Sequence, residues 1–354
     1  MIELDANTLT FTEFRDQCLI PNRPALIRNA SGAHFPVAAL EAALTPTALM
    51  RSLGTDHSLP VYHETCPGEV TCSQMTWSDL VKVWGSANED PENGFYLKDW
   101  HAPCELGRLG EPLPYTAPPY LGADWLNAFY DHSNDRDGDY RFAYIGPAGT
   151  WTGFHADVIG SYSWSLNVSG DKLWYFLSPE SNSYYGEHHV GDLNPCDMRV
   201  MSDVTYFKVT QHPGELIFVP SQYFHQVHNI RGEPFPLPSQ EGNTVQLVIS
   251  INHNWLNEFC IDRVVSLFLR EMELLCKYYS MEDICLLCEG GDRESVERFV
   301  EGALLSGTNR NCHTMRSLLR FANDHFCCDE MAQMKDLKDY ISAIDDRLSS
   351  LFVN

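Results

Sequence analysis

The clearest alternation of polar and apolar positions lies in SYSWSLNV, residues 161–168. On an extended strand Tyr162, Trp164, Leu166 and Val168 fall on one face, and Ser161, Ser163, Ser165 and Asn167 on the other. After the turn residues SGD comes KLWYFL, in which Lys172, Trp174 and Phe176 share a face. The pattern predicts a β-hairpin with one apolar and one polar side. GELIFVP and TVQLVISIN, further along, read as short strands of the same kind. From Tyr140 to Trp255, aromatic and β-branched runs broken by Gly, Pro, Asp and Asn predict an all-β barrel or sandwich.

The flanking segments have a different texture. Residues 1–139 mix helical and extended signals: a helix ending before Pro21, a strand around Ala25–Arg28, a helix in TWSDLVKVWG with its N-cap near Ser78, and a strand in GFYLKDW. Between Pro103 and Pro119 five prolines predict irregular chain. Beyond Trp255 the period becomes helical. Ile261, Val264, Val265, Phe268, Met272 and Leu275 form one stripe, and Met334, Leu337, Ile341, Ile344, Leu348 and Leu351 another. Such stripes fit helices packed on their own barrel, and they also suit an oligomer interface. The expected organisation is a flanking region at 1–139, a β core at 140–256 and a helical region at 257–354. No internal repeat of about 20–50 residues is visible.

Composition narrows the function. The 354 residues are 44% apolar, enough for a substantial core, and carry a net charge of −24. That charge disfavours nucleic acid and anionic membranes and favours a basic protein surface. No run of about 18 apolar residues occurs and the start lacks a basic-then-apolar leader, so the expectation is a soluble protein of the cytoplasm or nucleus. Twelve scattered cysteines then read as free thiols. Cys285 and Cys288 have a metal-like spacing, but their apolar helical context favours buried structural thiols.

The candidate chemistry begins in TGFHAD. His155 and Asp157, two apart, point to the same side of an extended strand. Two histidines and a carboxylate on one side of an ion, with open positions opposite, form the facial triad associated with non-haem Fe(II). Alone, such a pair is common and also fits a surface or capping role. The third ligand has four candidates, His212, His225, His228 and His253. In HPGELIFVPSQYFHQVHN a turn, a strand and a second turn lead into His225, which is the preferred choice. His228, three residues on, faces the opposite way on a strand and is expected to pack on the far side.

Taken together, the H-x-D pair, the lysine after the turn, and the late histidine after GE…P…F resemble the jumonji C family of iron- and 2-oxoglutarate-dependent oxygenases. The match runs at least from Tyr144 to Trp255, and PNRPALIRN resembles the family's N-terminal element. The resemblance implies a mainly β protein with flanking helices, built on a double-stranded β-helix of the cupin or jelly-roll type. It implies Fe(II) on His155, Asp157 and His225, with 2-oxoglutarate and O2 as cosubstrates and succinate and CO2 as products. Thr152 and Lys172 match the positions that hold the distal carboxylate of 2-oxoglutarate, and Tyr144 could also reach it. Ser165 stands where some relatives have asparagine; Ser250 and Asn252 resemble a polar pair on the last core strand.

Within the family, YLKDWH, HADVIGSYSWSLNVSGDKLWYFLSP and INHNWLNEFC are similar to members that hydroxylate C4 of a lysine in eukaryotic translation release factor one. That likeness implies a protein hydroxylase with this partner. An N-methyl-lysine (histone) demethylase and a non-catalytic cupin-fold binding protein are the alternatives. No CxxC…CxxC reader array accompanies the core, which weighs against histone demethylation. The segments Glu180–Tyr206 and Arg231–Asn243 are the expected substrate-facing loops.

Overall fold

The computed structural model describes residues 1–66, 69–86, 94–133, 139–188, 197–238, 244–278, 293–308, 310–326 and 337–350. Its strands are β1 (Ile2–Asp5), β2 (Ala25–Arg28), β3 (Ser58–Cys66), β4 (Glu69–Thr76), β5 (Tyr96–Trp100), β6 (Arg141–Pro147) and β7 (Trp151–His155). They continue as β8 (Tyr162–Ser169), β9 (Asp171–Leu177), β10 (Tyr206–Gln211), β11 (Leu216–Val219), β12 (His225–Arg231), β13 (Glu233–Pro236) and β14 (Thr244–Trp255). Two sheets result among the described residues. The larger runs β1-β2-β11-β8-β14-β6-β5-β3-β4 with β13 on β14, and the smaller runs β10-β9-β12-β7.

This arrangement corrects the hairpin expected of residues 161–177. β8 pairs with β11 and β14 in the large sheet, whereas β9 pairs with β10 and β12 in the small one. Gly170, at φ +75, lets the chain cross between them; a Cβ there would stand 2.5 Å from the Arg231 carbonyl oxygen. Crossing from sheet to sheet at successive strands is how a jelly roll closes, and β6–β12 with β14 form that cupin-type core. The polar side of β8 also lies opposite to where solvent exposure would put it. Ser163, Ser165 and Asn167 are buried and face the space between the sheets, while Tyr162, Trp164, Leu166 and Val168 join the main apolar core outside it.

One part of the inter-sheet space is filled by Leu26, Trp174, Phe176, Ile217, Val219, Tyr223 and Val227. The rest remains polar, and the candidate site lies there. The segments before residue 140 extend the large sheet rather than forming a separate layer, because β5 pairs with β6 and β2 with β11.

Local expectations for the flanks hold with two adjustments. The helix Trp77–Ser86 is capped by Thr76, whose Oγ1 accepts from Asp79 N at 3.1 Å, not by Ser78. The proline-rich stretch contains the helix Ala102–Arg108, with Pro103 in its first turn, where the missing N–H costs nothing. At the other end, helices Ile261–Tyr278, Arg293–Thr308, Cys312–Phe326 and Leu337–Ser350 pack on one another, on the helix Trp125–Ser133 and on the turn Val158–Gly160. Ile261, Val264, Val265, Phe268 and Met272 are buried, as are Leu337 and Ile344, with Leu275, Ile341 and Leu348 packed beside them. The stripes therefore meet partners within the chain. Met334, Leu351, Cys285 and Cys288 lie outside the described residues. Among the described residues no helix is long and apolar enough to cross a membrane.

Candidate metal centre and its cavity

β7 and β12 are antiparallel neighbours in the small sheet, and their register sets His155 directly across from His225. Their ring centroids are 4.3 Å apart. Asp157 follows β7 in extended conformation at the start of the 3-10 turn Val158–Gly160, which returns its carboxylate to the same side. One ligand atom from each of His155, Asp157 and His225 lies within 4.8 Å of the others.

Each ligand side chain is held by a neighbour. His155 Nδ1 donates to the Gly153 carbonyl at 2.8 Å and His225 Nδ1 to the Tyr223 carbonyl at 2.9 Å. A carbonyl can only accept, so the proton sits on Nδ1 and each Nε2 keeps its lone pair for a cation. Ser163 Oγ donates to Asp157 Oδ2 at 2.6 Å and fixes the carboxylate plane. Burial, aided by His225 alongside, pulls the His155 pKa down to about 4, which keeps the ring in the neutral, ligating form. Two imidazoles and one carboxylate on one side of a cavity are the donor set that suits Fe(II), so the residues fit that ion.

The cavity beside the cluster measures about 450 Å³ including its mouth, and its walls include Tyr96, Tyr144, Thr152, Ser165, Lys172 and Asn252. Lys172 is only 1% exposed. Its Nζ donates to Ser250 Oγ at 2.7 Å and lies 5.6 Å from the centre of the Tyr144 ring. Among the described residues no carboxylate pairs with it, and burial pulls its pKa down to about 7. A buried ammonium facing a cavity without a counter-ion is suited to an anionic ligand, which fits the distal carboxylate of 2-oxoglutarate.

The other predicted residues are placed as follows. Ser165 Oγ donates to Asn252 Oδ1 at 2.8 Å, so the two form one polar pair on the wall. The Tyr144 hydroxyl donates to Asp99 Oδ1 at 2.6 Å. The remaining candidate histidines lie away from the cluster. His212 bonds Asp171 at 2.8 Å, and His228 stacks on Trp151 with ring centroids 5.0 Å apart. His253 stacks on Trp164 and meets the Tyr115 hydroxyl at 2.7 Å.

Sequence reasoning missed Tyr96, Ser163, Trp174 and Asn254, which also line the cavity. Ser163 had a visible signal, being on the polar face of β8 six residues after Asp157. Tyr96 had none, since β5 reaches the site only by pairing with β6. The expected substrate loops are in part structural: Tyr185 and Met198 pack on Phe154, Tyr175 and Leu177, and β13 pairs with β14. Residues 189–196 and 239–243 of those loops lie outside the described residues.

Residues 142–232 match the family described as JmjC domain, hydroxylase. The 2-oxoglutarate and iron-dependent oxygenase JMJD4 of Homo sapiens is 35% identical over 229 residues, 58% of this chain and 50% of that protein. The JMJD4 homolog of Drosophila melanogaster is 34% identical over 213 residues, 57% of this chain and 45% of its own. The arginine-specific demethylase JMJ20 of Arabidopsis thaliana is 35% identical over 242 residues, 61% and 47% respectively. The chain spans about half the length of the curated relatives it matches.

Proposed function

Because this chain carries a JmjC domain, we propose that it is an Fe(II)- and 2-oxoglutarate-dependent protein hydroxylase that oxidises a lysine side chain at C4. Its proposed substrate is translation release factor one, met in the cytoplasm. The observation that carries the reading is the His155–Asp157–His225 cluster facing the same cavity as the buried Lys172 ammonium. One group suits a divalent metal and the other a dianionic cosubstrate, and neither has another evident use in that space. The names of the JMJD4 relatives support the same cofactor pair.

His155, Asp157 and His225 would hold the iron, and Lys172 with Thr152 would receive the distal carboxylate of 2-oxoglutarate. Iron so bound supplies oxidation of an unactivated C–H by O2 while 2-oxoglutarate leaves as succinate and CO2. The chain's own contribution is orientation. The Gly153 and Tyr223 carbonyls fix the imidazoles, Ser163 fixes the Asp157 carboxylate, and Ser250 holds Lys172 Nζ toward the cavity. Trp174 and Val227 supply apolar wall that limits water beside the metal position.

The test is mass spectrometry of purified release factor one after incubation with the protein, Fe(II), 2-oxoglutarate and O2, alongside Asp157→Ala. Gain of one oxygen atom on a lysine, absent with the variant, supports both reaction and substrate. Consumption of 2-oxoglutarate without that gain discards the substrate. A second reading, N-methyl demethylation, draws support from the name of the Arabidopsis thaliana relative. It predicts formaldehyde release, which hydroxylation of a lysine side-chain methylene does not produce.

A further inference from the structure

β5 contains a bulge opposite Tyr144, a residue of the cavity wall. Leu97 pairs with Ile145 and Trp100 with Ala143, so Lys98 and Asp99 together oppose the single residue Tyr144. Asp99 takes φ 54, a left-handed conformation that most L-residues avoid and that Asp and Asn tolerate best. Strain of this sort concentrates where a side chain must be aimed.

The aimed group is a carboxylate with 42% of its side chain exposed. Its Oδ1 accepts from the Tyr144 hydroxyl at 2.6 Å. A phenol is an uncharged donor, so it fixes the carboxylate without neutralising it. The ammonium of Lys98 lies 3.9 Å from Oδ2, beyond a good hydrogen bond, and 4.4 Å over the Tyr62 ring. An ammonium therefore already rests between this carboxylate and an aromatic face, which identifies the chemistry the position accepts.

Location supplies the second argument. Tyr96 and Tyr144 line the metal cavity, and Tyr62 and Tyr96 line a second cavity of about 340 Å³ with Trp151 and Thr150. Tyr96 belongs to both walls and so joins the two cavities, while Asp99 is bonded to Tyr144 of the first and pairs with Lys98, whose ammonium lies over the Tyr62 ring of the second. With the proposed oxygenase function as its premise, we propose that Asp99 anchors the cationic side chain of the protein substrate as it enters the metal cavity. The substrate cation displaces Lys98 from the carboxylate, and the second cavity receives chain next to the reacting residue.

The test compares binding of a short lysine peptide and its Nε-acetylated counterpart to wild type and Asp99→Asn, both loaded with Mn(II) and 2-oxoglutarate under anaerobic conditions. Asparagine keeps the left-handed backbone and an acceptor for Tyr144 but removes the charge. Wild type should prefer the free amine by about tenfold, the scale of one charge-assisted hydrogen bond, and the variant by about onefold. An equal preference in the two proteins, or a wild type that binds both peptides alike or neither, overturns the proposal. Should Asp99→Asn lose Mn(II) binding and so report a collapsed cavity, Lys98→Gln decides. Removal of the resident ammonium should tighten binding of the lysine peptide, and unchanged or weaker binding overturns the anchor. Consumption of 2-oxoglutarate by wild type is measured separately. Its absence refutes the oxygenase reading, while the peptide comparison still decides the role of Asp99.

Discussion

Raising the pH should empty the proposed cosubstrate pocket of its cation. Lys172 is fully enclosed, and burial brings its pKa from 10.5 down to about 7, which corresponds to roughly 5 kcal/mol of disfavour toward the charged form. A 2-oxoglutarate carboxylate binds the ammonium and not the amine, so its affinity should follow the protonated fraction. Between pH 6.5 and 8.5 that fraction falls about 25-fold, and the dissociation constant should rise by the same factor. Isothermal titration of 2-oxoglutarate into Mn(II)-loaded protein, without O2, reads this directly. Lys172→Met should bind weakly at every pH and lose the slope. The same shift makes a stability statement of defined sign. Between about pH 7 and 10.5 the unfolded chain holds a proton on this lysine that the ligand-free fold does not, so stability from this group rises with pH across that window. A wild-type affinity that changes less than about threefold over the two pH units, or a Met variant with the wild-type slope, would refute the assignment of Lys172 as the carboxylate anchor.

Three further outcomes are expected. Asp157→Ala should abolish 2-oxoglutarate consumption and weaken Mn(II) binding by more than the ~10–100-fold that loss of a supporting hydrogen bond costs, with circular dichroism unchanged; retained activity would remove Asp157 from the metal site. His225→Ala should lose Mn(II) affinity while His228→Ala keeps it, since His228 stacks on Trp151 away from the cluster; equal losses by titration would place both rings at the ion. Gly170→Ala forces a Cβ to within 2.5 Å of the Arg231 carbonyl at φ +75 and should cost about 2 kcal/mol or more in urea unfolding, a figure that a neutral result would contradict.

The legible part of this protein was carried by residues close in sequence. Alternation located β8, helical spacing located the stripe that runs from Ile261, and strand periodicity put His155 and Asp157 on one side, although β7 ends at His155 and the extended Asp157 before the next turn completes the arrangement. His225 was reachable because a turn, a strand and a second turn lead into it. The hairpin expected at residues 161–177 failed because periodicity reports which side chains share a face and not which sheet a strand joins. That choice was made at Gly170, where the left-handed turn and the close Arg231 carbonyl send β9 into the other sheet. Periodicity likewise gave the serine face of β8 no surroundings, and the fold turns it inside the barrel, where it bonds Asp157 and Asn252.

The sequence by itself determined the donor types, the strand and helix periods, and a cation at Lys172, because these depend on residue identity and short-range geometry. Tertiary structure alone decided that His155 meets His225 across an antiparallel register, that the buried Lys172 ammonium meets the Ser250 hydroxyl, and that a bulge in β5 brings Asp99 to the hydroxyl of Tyr144. Each of these joins residues 45 to 78 positions apart, and only the pairing of distant strands fixes such a distance.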